Sequence, residues 1–398
     1  MILRRHSVAA CVILLVAATH HLAHKFDLTR FEYSQAHMGT RFRIVLYAPD
    51  VETANRAAKA AFNRVARLDN TMSDYRETSE LMTLCQRAGG APVEVSDDLF
   101  RVLAFSQKIA AQTGGAFDVT MGPVVRLWRR ARRTQVMPDP RRLAEARGLT
   151  GFAKLHLDPR KRTARLEKSG MLIDLGGVAK GYAADEAIKV LQQHGVTRAL
   201  VAAGGDVVVS DAPPDAAGWT IGVAPLGASG RTPGQAPANF LLLKHAAVST
   251  AGDAEQYVEI GGVRYSHIVD PRTGLGLTGR SSVTVVAPDG ITSDSIDTAV
   301  NVLGPKRGLK LVDSTKGTAA LILQSTESGV KSFESKGWGR VPTTSSKADN
   351  RSLHPAQLLS TAAREEHDHR ATGGSLWSAA AEAPLSPDFA TDNLAVRE

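Results

Sequence analysis

This chain has little cysteine and few aromatic side chains, and its N-terminal apolar run is short. Its 398 residues include two cysteines, and aromatic residues make up 5% of them. Cys11 lies in the N-terminal apolar run, so only Cys85 remains once that run is set aside, which excludes an intramolecular disulfide scaffold. With 43% apolar residues, the chain is long enough to bury a substantial core. This composition is typical of a globular protein.

The two ends differ in composition from the middle. Arg4 and Arg5 precede an apolar run over residues 8–18 that is too short for an ordinary membrane span. This pattern predicts a signal peptide or a short N-terminal anchor within residues 1–24, and therefore export. Residues 341–398 lose the periodic apolar pattern and are rich in Ser, Thr, Ala and charge, so we predict a polar, disordered tail there.

The formal net charge is +8, and much of it comes from closely spaced arginines. Because no aromatic residue beyond Trp128 interleaves with them, we predict no nucleic-acid binding. We interpret the segment as a solvated helix and loop, with a membrane-surface or partner patch as the alternative. The arginines are Arg126, Arg129, Arg130, Arg132, Arg133, Arg141, Arg142 and Arg147.

Hydrophobic periodicity predicts an α+β fold with mixed, largely antiparallel sheets of short strands and hairpins packed with several helices. An apolar stripe at three-to-four spacing predicts a helix over Val51–Met72. Ser96 before two aspartates, and Gly114 as a stop, predict a second helix over residues 96–112. Further helices are predicted over residues 293–303 and 305–312, and strands over residues 42–48, 198–202, 207–209, 219–224, 240–244, 247–250, 257–260, 263–268, 282–287 and, as the last, 318–324.

The stretch DLGGVAKGYAAD, residues 174–185, is where we expect ligand chemistry. It joins an apolar run over residues 171–173, predicted as a strand, to a helix with apolar residues at three-to-four spacing. Gly176 and Gly177 lack side chains, so amides at the helix start could approach a phosphate closely, and Lys180 could add a point charge. A tight turn without a ligand is the alternative.

Other turns extend this pattern. Glycines at residues 114–115, 204–205 and 274 each lie beside an Asp or a Lys and together suit a large polyanionic ligand. Asp294 and Thr298 are four apart on a predicted helix, so they share a face. Hard oxygen ligands beside phosphates favour Mg²⁺. An aspartate that merely complements the helix dipole is the alternative.

The order of these motifs resembles the ApbE family of FAD:protein FMN transferases. On this resemblance we take residues 31–340 as one ApbE-like flavin transferase domain. The motifs are MGT at residues 38–40, MSDYRETSEL at 72–81, GGAFDVTMGP at 114–123, DLGGVAKGYAAD at 174–185, AAGGD at 202–206, STAGD at 249–253, HIVDPRTG at 267–274 and DSIDTAVNVLG at 294–304. The chain departs from the family at Ala251 and Ala254, where a Ser and a Tyr are common.

The resemblance implies that FAD is bound with Mg²⁺ and cleaved at its pyrophosphate. Its FMN half would pass to a Thr or Ser hydroxyl of an acceptor protein, and AMP would leave. The implied acceptor is a subunit of a membrane redox or electron-transfer complex, and the implied location is the periplasm or the outer face of the inner membrane. Two alternatives stay open: an FAD pyrophosphatase that gives FMN and AMP, and a non-catalytic flavin-binding accessory of such a complex.

The resemblance also implies residue roles. Asp294 and Thr298 match metal ligands, with the backbone carbonyl near Gly177 as a third. His267 is the implied general base, and a histidine bonding a carbonyl at a strand end is the alternative. Tyr75, just past a helix end, is implied to cover the flavin or exclude water. The implied flavin-site positions are Met38, Tyr75, Asp118 (or else an Asx turn), Gly176, Lys180, Asp206, Ser249 and His267.

Overall fold

The computed structural model describes residues 28–223, 226, 239–252 and 256–344. Their helices are α1 Val51–Met72, α2 Glu80–Gln86, α3 Asp97–Thr113, α4 Gly122–Thr134, α5 Pro140–Gly148, α6 Ala179–Gln193 and α7 Gly290–Ser314. The strands are β1 Thr29–His37, β2 Thr40–Ala48, β3 Val93–Glu94, β4 Leu155–Asp158, β5 Thr163–Leu166, β6 Ala199–Ala203, β7 Asp206–Val209, β8 Trp219–Val223, β9 Asn239–Leu243, β10 Ala246–Gly252, β11 Tyr257–Ile260, β12 Val263–Val269, β13 Gly276–Thr278, β14 Ser281–Ala287, β15 Ala319–Thr326, β16 Gly329–Glu334 and β17 Thr343–Thr344.

The predicted signal peptide or anchor lies outside the described residues, and so does the tail beyond residue 344. Both therefore stay predictions. In the part of the chain that the structure describes, no helix is both long enough and apolar enough to cross a membrane.

One large sheet organises the described residues. Its strand order is β1-β2-β6-β7-β10-β14-β15-β16, and every neighbouring pair is antiparallel. Three smaller antiparallel sheets accompany it: β11-β12-β13, β17-β9-β8 and β3-β5-β4. Together with the helices, this confirms the predicted α+β class with largely antiparallel sheets of short strands.

The large sheet is buried on both faces, because its central strands send alternate apolar side chains into two cores. On β2, Ile44 lies in the core shared with α1, α6 and α7, whereas Val45 lies in the core shared with β8 and β9. On β6, Val201 lies in the core shared with the helices, and Ala202 lies in the core shared with β8 and β9. A helical layer therefore covers one face, and a small sheet covers the other.

Helices α6 and α7 approach each other closely at two glycines. A Cβ atom added to Gly181 would overlap the carbonyl oxygen of Gly290, and the converse also holds. The Asp185 carboxylate of α6 accepts hydrogen bonds from the amides of Gly290 at 2.7 Å and Ile291 at 3.0 Å, which satisfies donors at the start of α7. Burial raises the pKa of Asp185 to about 7, against the effect of these bonds. The first turns of α7 are thus fixed against the start of α6.

The helix predictions hold well. Helix α1 has the predicted bounds, and α3 begins after Ser96, whose hydroxyl accepts a hydrogen bond from the Leu99 amide at 3.3 Å. The left-handed Gly114 ends α3 as expected. Helix α7 breaks at Gly304, where φ is 70°, so its two segments match the two predicted helices.

Two strand predictions are wrong. Residues 171–173 form no strand; Leu172 makes an isolated bridge to Met121, and the Ile173 amide points at the sulfur of Cys85, 3.3 Å away. This segment packs among helices and has no strand partner along its length. Residues 318–324 are not the last strand either, because β16 and β17 follow. Strand β16 is an exposed edge strand, so its sequence carries little apolar alternation.

The contact between α6 and α7 predicts a large cost for one methyl group. We expect Gly181→Ala to lower the free energy of unfolding by roughly 2–3 kcal/mol, because the helices must separate to admit the Cβ atom. Gly148→Ala in α5 is the matched control: nothing lies within 4 Å of its Cβ position, so we expect a change below about 1 kcal/mol. Urea unfolding measures both, and equal stability of the two variants would contradict the prediction.

Candidate functional site

The Lys180 side chain of α6 lies against two buried carboxylates. Its ammonium is 3.2 Å from Asp206 Oδ2 and 3.5 Å from Asp294 Oδ1, and it donates to the carbonyl oxygen of Gly176 at 2.8 Å. Burial opposes the charge of the ammonium, but the two carboxylates outweigh it and raise the pKa of Lys180 above its ordinary value. Lys180 is therefore a firmly held cation, and not the free point charge that the sequence suggested.

A hydroxyl bridge joins this pair to a third carboxylate. The Ser249 hydroxyl contacts Asp206 Oδ1 and lies 2.5 Å from Asp297 Oδ2. A hydroxyl has one proton to donate, so one of the two carboxyl groups must supply its own. Burial, with the repulsion of Asp294 and Asp206, raises the pKa of Asp297 well above its ordinary value. Burial therefore favours the protonated form of Asp297, and the Ser249 hydroxyl bridges Asp297 and Asp206.

Three predicted metal ligands come together between α6 and α7. Asp294 and Thr298 project from consecutive turns of α7, and a Cβ atom on Gly177 would lie 2.9 Å from Thr298 Oγ1. One oxygen of the Asp294 carboxylate accepts from the Gly181 amide at 3.0 Å, and the other faces Lys180. Burial and the nearby Asp206 raise the pKa of Asp294 to about 7, against the opposing effect of Lys180.

The donor set of these three residues is a carboxylate, a hydroxyl and a backbone carbonyl. All are hard oxygen ligands, and Mg²⁺ takes only one or two protein carboxylates, so the set fits part of a magnesium shell. Among the described residues, no three His, Cys, Asp or Glu side chains are grouped so that they could hold a metal ion. The residues thus suit a hard divalent ion that is also held by substrate phosphates.

Two strand-connecting turns border this cluster at one end of the large sheet. Met38 and Gly39 form the β1–β2 turn with φ angles of 50° and 70°, which suits a tight hairpin. A Cβ atom on Gly204, in the β6–β7 turn, would lie 3.3 Å from Thr40 Oγ1. Asp206 begins β7 directly after this turn. The structure therefore places Met38 on the same side as Asp206 and Ser249, as the implied flavin site requires.

Arg129 of α4 connects the 174–185 stretch to the loop that carries Tyr75. Its guanidinium donates to Asp174 Oδ2 at 2.7 Å and to Asp74 Oδ2, and it lies 4.5 Å from the centre of the Tyr75 ring. Burial and the repulsion of Asp174 raise the pKa of Asp74, while Arg129 opposes this rise. The interpretation of Arg129 as a solvated arginine was wrong, because its partners come from two distant segments.

Tyr75 and Gly176 lie at the exposed side of this connection. Tyr75 is 59% exposed, although Arg129 contacts its ring. The Gly176 amide donates to Asp174 Oδ1 at 2.8 Å. That amide is therefore engaged within an Asx turn, and the role of Gly176 in the flavin site stays a prediction.

His267, on β12, has an exposed side chain, and Lys180 and Asp174 are near enough for their charges to act on it. Its Nδ1 lies 3.1 Å from the carbonyl oxygen of Gln256, which can only accept, so Nδ1 carries the proton and Nε2 keeps a free lone pair. The surrounding protein, with Arg132 and Lys180 nearby, lowers the pKa of His267 to about 4. The imidazole is therefore neutral at pH 7, and its carbonyl bond and a role as base are compatible.

Asp118 has hydrogen-bond partners of its own, separate from those of Lys180. Its Oδ1 accepts from the Thr120 amide at 2.8 Å and from the Thr120 hydroxyl at 2.7 Å, and that hydroxyl accepts from the Gly151 amide at 2.7 Å. This is the Asx turn that the sequence left open. Within the described residues, no hydrogen bond links Asp118 to Lys180 or Asp294, so its place in the flavin site stays a prediction.

Sequence reasoning missed Asp297, Asp74 and Arg129. Asp297 stands within the quoted DSIDTAVNVLG motif, and its spacing of three from Asp294 places both on one side of α7. That spacing could have found it. Asp74 and Arg129 carried no such signal, because they are 55 residues apart in sequence. Ala254, one of the two departures from the family, lies outside the described residues, and so does Asp253 of the STAGD motif.

Comparisons with known proteins agree with this geometry. A sequence model of the ApbE family matches residues 38–322. An FAD:protein FMN transferase of Treponema pallidum is 33% identical over 313 residues, 73% of this chain and 84% of that protein. One of Vibrio cholerae is 29% identical over 342 residues, 84% of this chain and 98% of that protein.

Solved structures give the same result. The flavin transferase ApbE from Vibrio cholerae matches with a TM-score of 0.70 and 27% sequence identity, over 79% of this chain and 99% of that chain. Fold and site together define an α+β enzyme with a cluster of buried carboxylates and a lysine. The chain belongs to the ApbE family.

The paired aspartates at Arg129 predict a pH-dependent loss of stability. Without the guanidinium, Asp74 and Asp174 repel each other, so we expect Arg129→Met to cost about 3 kcal/mol at pH 8. The folded pKa of Asp74 is already raised, and this variant raises it further. The folded variant then binds a proton at Asp74 that the unfolded chain releases. The loss of stability therefore grows as pH rises towards the folded pKa of Asp74, and it shrinks as pH falls below that pKa.

Thermal unfolding of wild type and Arg129→Met between pH 5 and pH 8 measures this difference. Arg130→Met is the matched control, since Arg130 is the exposed neighbour on the same helix and should change stability by less than about 0.5 kcal/mol. A loss in Arg129→Met that is constant with pH would show that the repulsion between the two aspartates is not its cause.

Proposed function

We propose that this protein transfers the FMN half of FAD to a Thr or Ser hydroxyl of an acceptor protein, with Mg²⁺, and releases AMP. The observation that carries the proposal is the meeting of Gly177, Asp294 and Thr298 beside Lys180, whose charge acts on the exposed His267. Relatives named FAD:protein FMN transferase support the reaction class.

The bond changes define what each residue must do. The acceptor oxygen attacks the flavin-side phosphorus of FAD, the bond from that phosphorus to the bridging oxygen breaks, and AMP leaves with that oxygen. The hydroxyl proton passes to a base, for which His267 Nε2 has the free lone pair. A bound diphosphate adds negative charge beside the imidazole and moves its pKa from about 4 towards neutrality, where it is an effective base.

Lys180 supplies a positive charge in a fixed position. Lys180 is held by Asp206 and Asp294, so its ammonium needs no reorientation as negative charge develops on the pyrophosphate. Gly177, Asp294 and Thr298 would hold Mg²⁺, which when bound neutralises phosphate oxygens and stabilises the leaving AMP. Ser249 and Asp297 hold Asp206 in place and keep one buried charge neutralised.

The partner and location are also proposals. We infer an acceptor that is a subunit of a membrane redox complex, and export of the enzyme to the periplasm or to the outer face of the inner membrane. The support is the apolar run after Arg4 and Arg5, together with the family membership. Flavin reaching the acceptor there would need no passage of the modified protein across the membrane.

One incubation separates the transferase from its alternatives. Purified protein is mixed with FAD, MgCl₂ and candidate membrane subunits, and products are followed by in-gel flavin fluorescence and by chromatography of AMP and FMN. Equal amounts of AMP and protein-bound flavin support transfer. Free FMN with AMP would indicate a pyrophosphatase, and FAD bound but never cleaved would indicate an accessory protein.

The proposed metal ligands Asp294 and Thr298 predict losses of transfer rate that differ in size. Asp294 is only 3% exposed, so the isosteric Asp294→Asn is the safer test of its charge. We expect its transfer rate to fall at least about 100-fold, as when one stabilising group is removed from a polar site. Thr298→Val should lose less, because water can replace a neutral ligand.

Transfer rate against Mg²⁺ concentration is the measurement for both variants, with thermal unfolding as the check on folding. Full activity of Asp294→Asn at the wild-type Mg²⁺ optimum would remove this site from the mechanism.

The proposed role of Tyr75 predicts how FMN divides between release to water and transfer to the acceptor protein. Its exposed ring, which contacts Arg129, supports a role in covering the flavin or excluding water. We expect Tyr75→Asn to raise the ratio of free FMN to protein-bound FMN about tenfold, as water replaces the acceptor hydroxyl. Tyr75→Phe keeps the ring and should keep the wild-type ratio. If Tyr75→Asn and Tyr75→Phe partition alike, the ring does not exclude water.

A further inference from the structure

One face of α4 carries three arginines that the proposed chemistry does not use. Arg126, Arg130 and Arg133 are spaced by four and three residues, so they lie on one side of the helix, and all three are exposed. We name this surface the α4 arginine face. Within the described residues, none of the three forms an ion pair with a carboxylate; Arg126 contacts the sulfur of Met82 at 3.7 Å.

Nothing on α4 itself compensates this charge. The helix sequence GPVVRLWRRARRT contains no acidic residue, and arginines three or four apart on a helix repel one another. Arg133 gains from its place in the last turn, where the helix dipole favours a cation, but Arg126 and Arg130 do not. The helix is held by its opposite side, where Val124, Trp128 and Ala131 are buried.

The neighbouring stripe of α4 carries Arg129 and Arg132. Arg129 lies against the Tyr75 ring, as described above. Arg132 donates to Gln256 Oε1 at 3.2 Å, and the carbonyl of Gln256 is the partner of His267 Nδ1. The α4 arginine face is therefore next to the stripe of α4 that contacts Tyr75 and, through Gln256, His267, the two residues that an acceptor hydroxyl approaches in the proposed reaction.

We propose that the α4 arginine face binds an acidic segment of the acceptor protein and so presents the acceptor hydroxyl to the site; this inference rests on the proposed transferase function. Guanidinium groups pair with carboxylates through two parallel hydrogen bonds, and exposed charges accelerate and orient encounter more than they change the chemical step. A membrane surface is the weaker match, because Val136 is the one exposed large hydrophobic residue on α4 and the turn after it.

The test is a charge reversal at two positions outside the proposed machinery. In Arg126→Glu/Arg130→Glu, we expect the KM for the acceptor to rise at least about tenfold at about 0.1 M salt, with kcat and the KM for FAD unchanged. The difference should largely vanish at about 1 M salt, where charge interactions are screened. Acceptor variants with Lys in place of acidic residues near the modified hydroxyl should restore transfer by the reversed enzyme.

The matched control is Arg307→Glu/Lys310→Glu, two exposed cations on the C-terminal segment of α7. The same rise in KM in this control would show a general effect of net charge and overturn the proposal. An unchanged KM in the α4 variant would also overturn it, while wild-type transfer leaves the proposed function standing.

Two further outcomes are separate. Loss of binding to vesicles of phosphatidylglycerol and phosphatidylcholine, with the acceptor KM unchanged, would assign the face to lipid and overturn the proposal. Absence of FMN transfer by the wild type to any acceptor, under the conditions that cleave FAD, would overturn the proposed function and this inference with it.

Discussion

The contact of Gly181 with Gly290 determines the geometry of the whole site. Because neither residue has a Cβ atom, the backbones of α6 and α7 meet there, and the Asp185 carboxylate closes the contact by accepting from the first amides of α7. One turn further along α7, Asp294 then reaches Lys180 and the Gly181 amide. Residues more than a hundred positions apart in sequence act together only because two helices can approach this closely.

Charge is the second constraint. Asp206, Asp294 and Asp297 are all buried, and Lys180 is the cation that faces them. Buried carboxylates in excess of their partners are costly unless they take up protons or a further cation. The raised pKa values of Asp294 and Asp297 are the first response, and they show a site built around negative charge that Lys180 alone does not balance. The divalent ion of the proposed function would supply a second positive charge at this site.

Local patterns predicted the elements, and motif order predicted the site's members, but contacts between remote segments could not be predicted. The stripe on α1, the N-cap of α3 and the shared face of Asp294 and Thr298 follow from spacing within one helix. The partners of Arg129 and the bridge through Ser249 depend on how separate segments meet, which no local spacing records. The strand prediction for residues 171–173 was wrong for the converse reason. Their apolar run suits a strand, but no neighbouring strand pairs with them along their length.

Helix α4 links the position of Tyr75 to that of His267. Tyr75 comes from the loop after α1, and His267 comes from β12 in a separate small sheet, so no hydrogen bond of a shared element fixes their separation. Arg129 holds the first through its ring and its aspartates, and Arg132 holds the second through Gln256. Trp128, between these arginines, donates to the Gly274 carbonyl at 2.7 Å and secures the helix to the turn after β12. One short helix therefore links the two residues, and its arginine face lies on the side away from the buried Val124, Trp128 and Ala131.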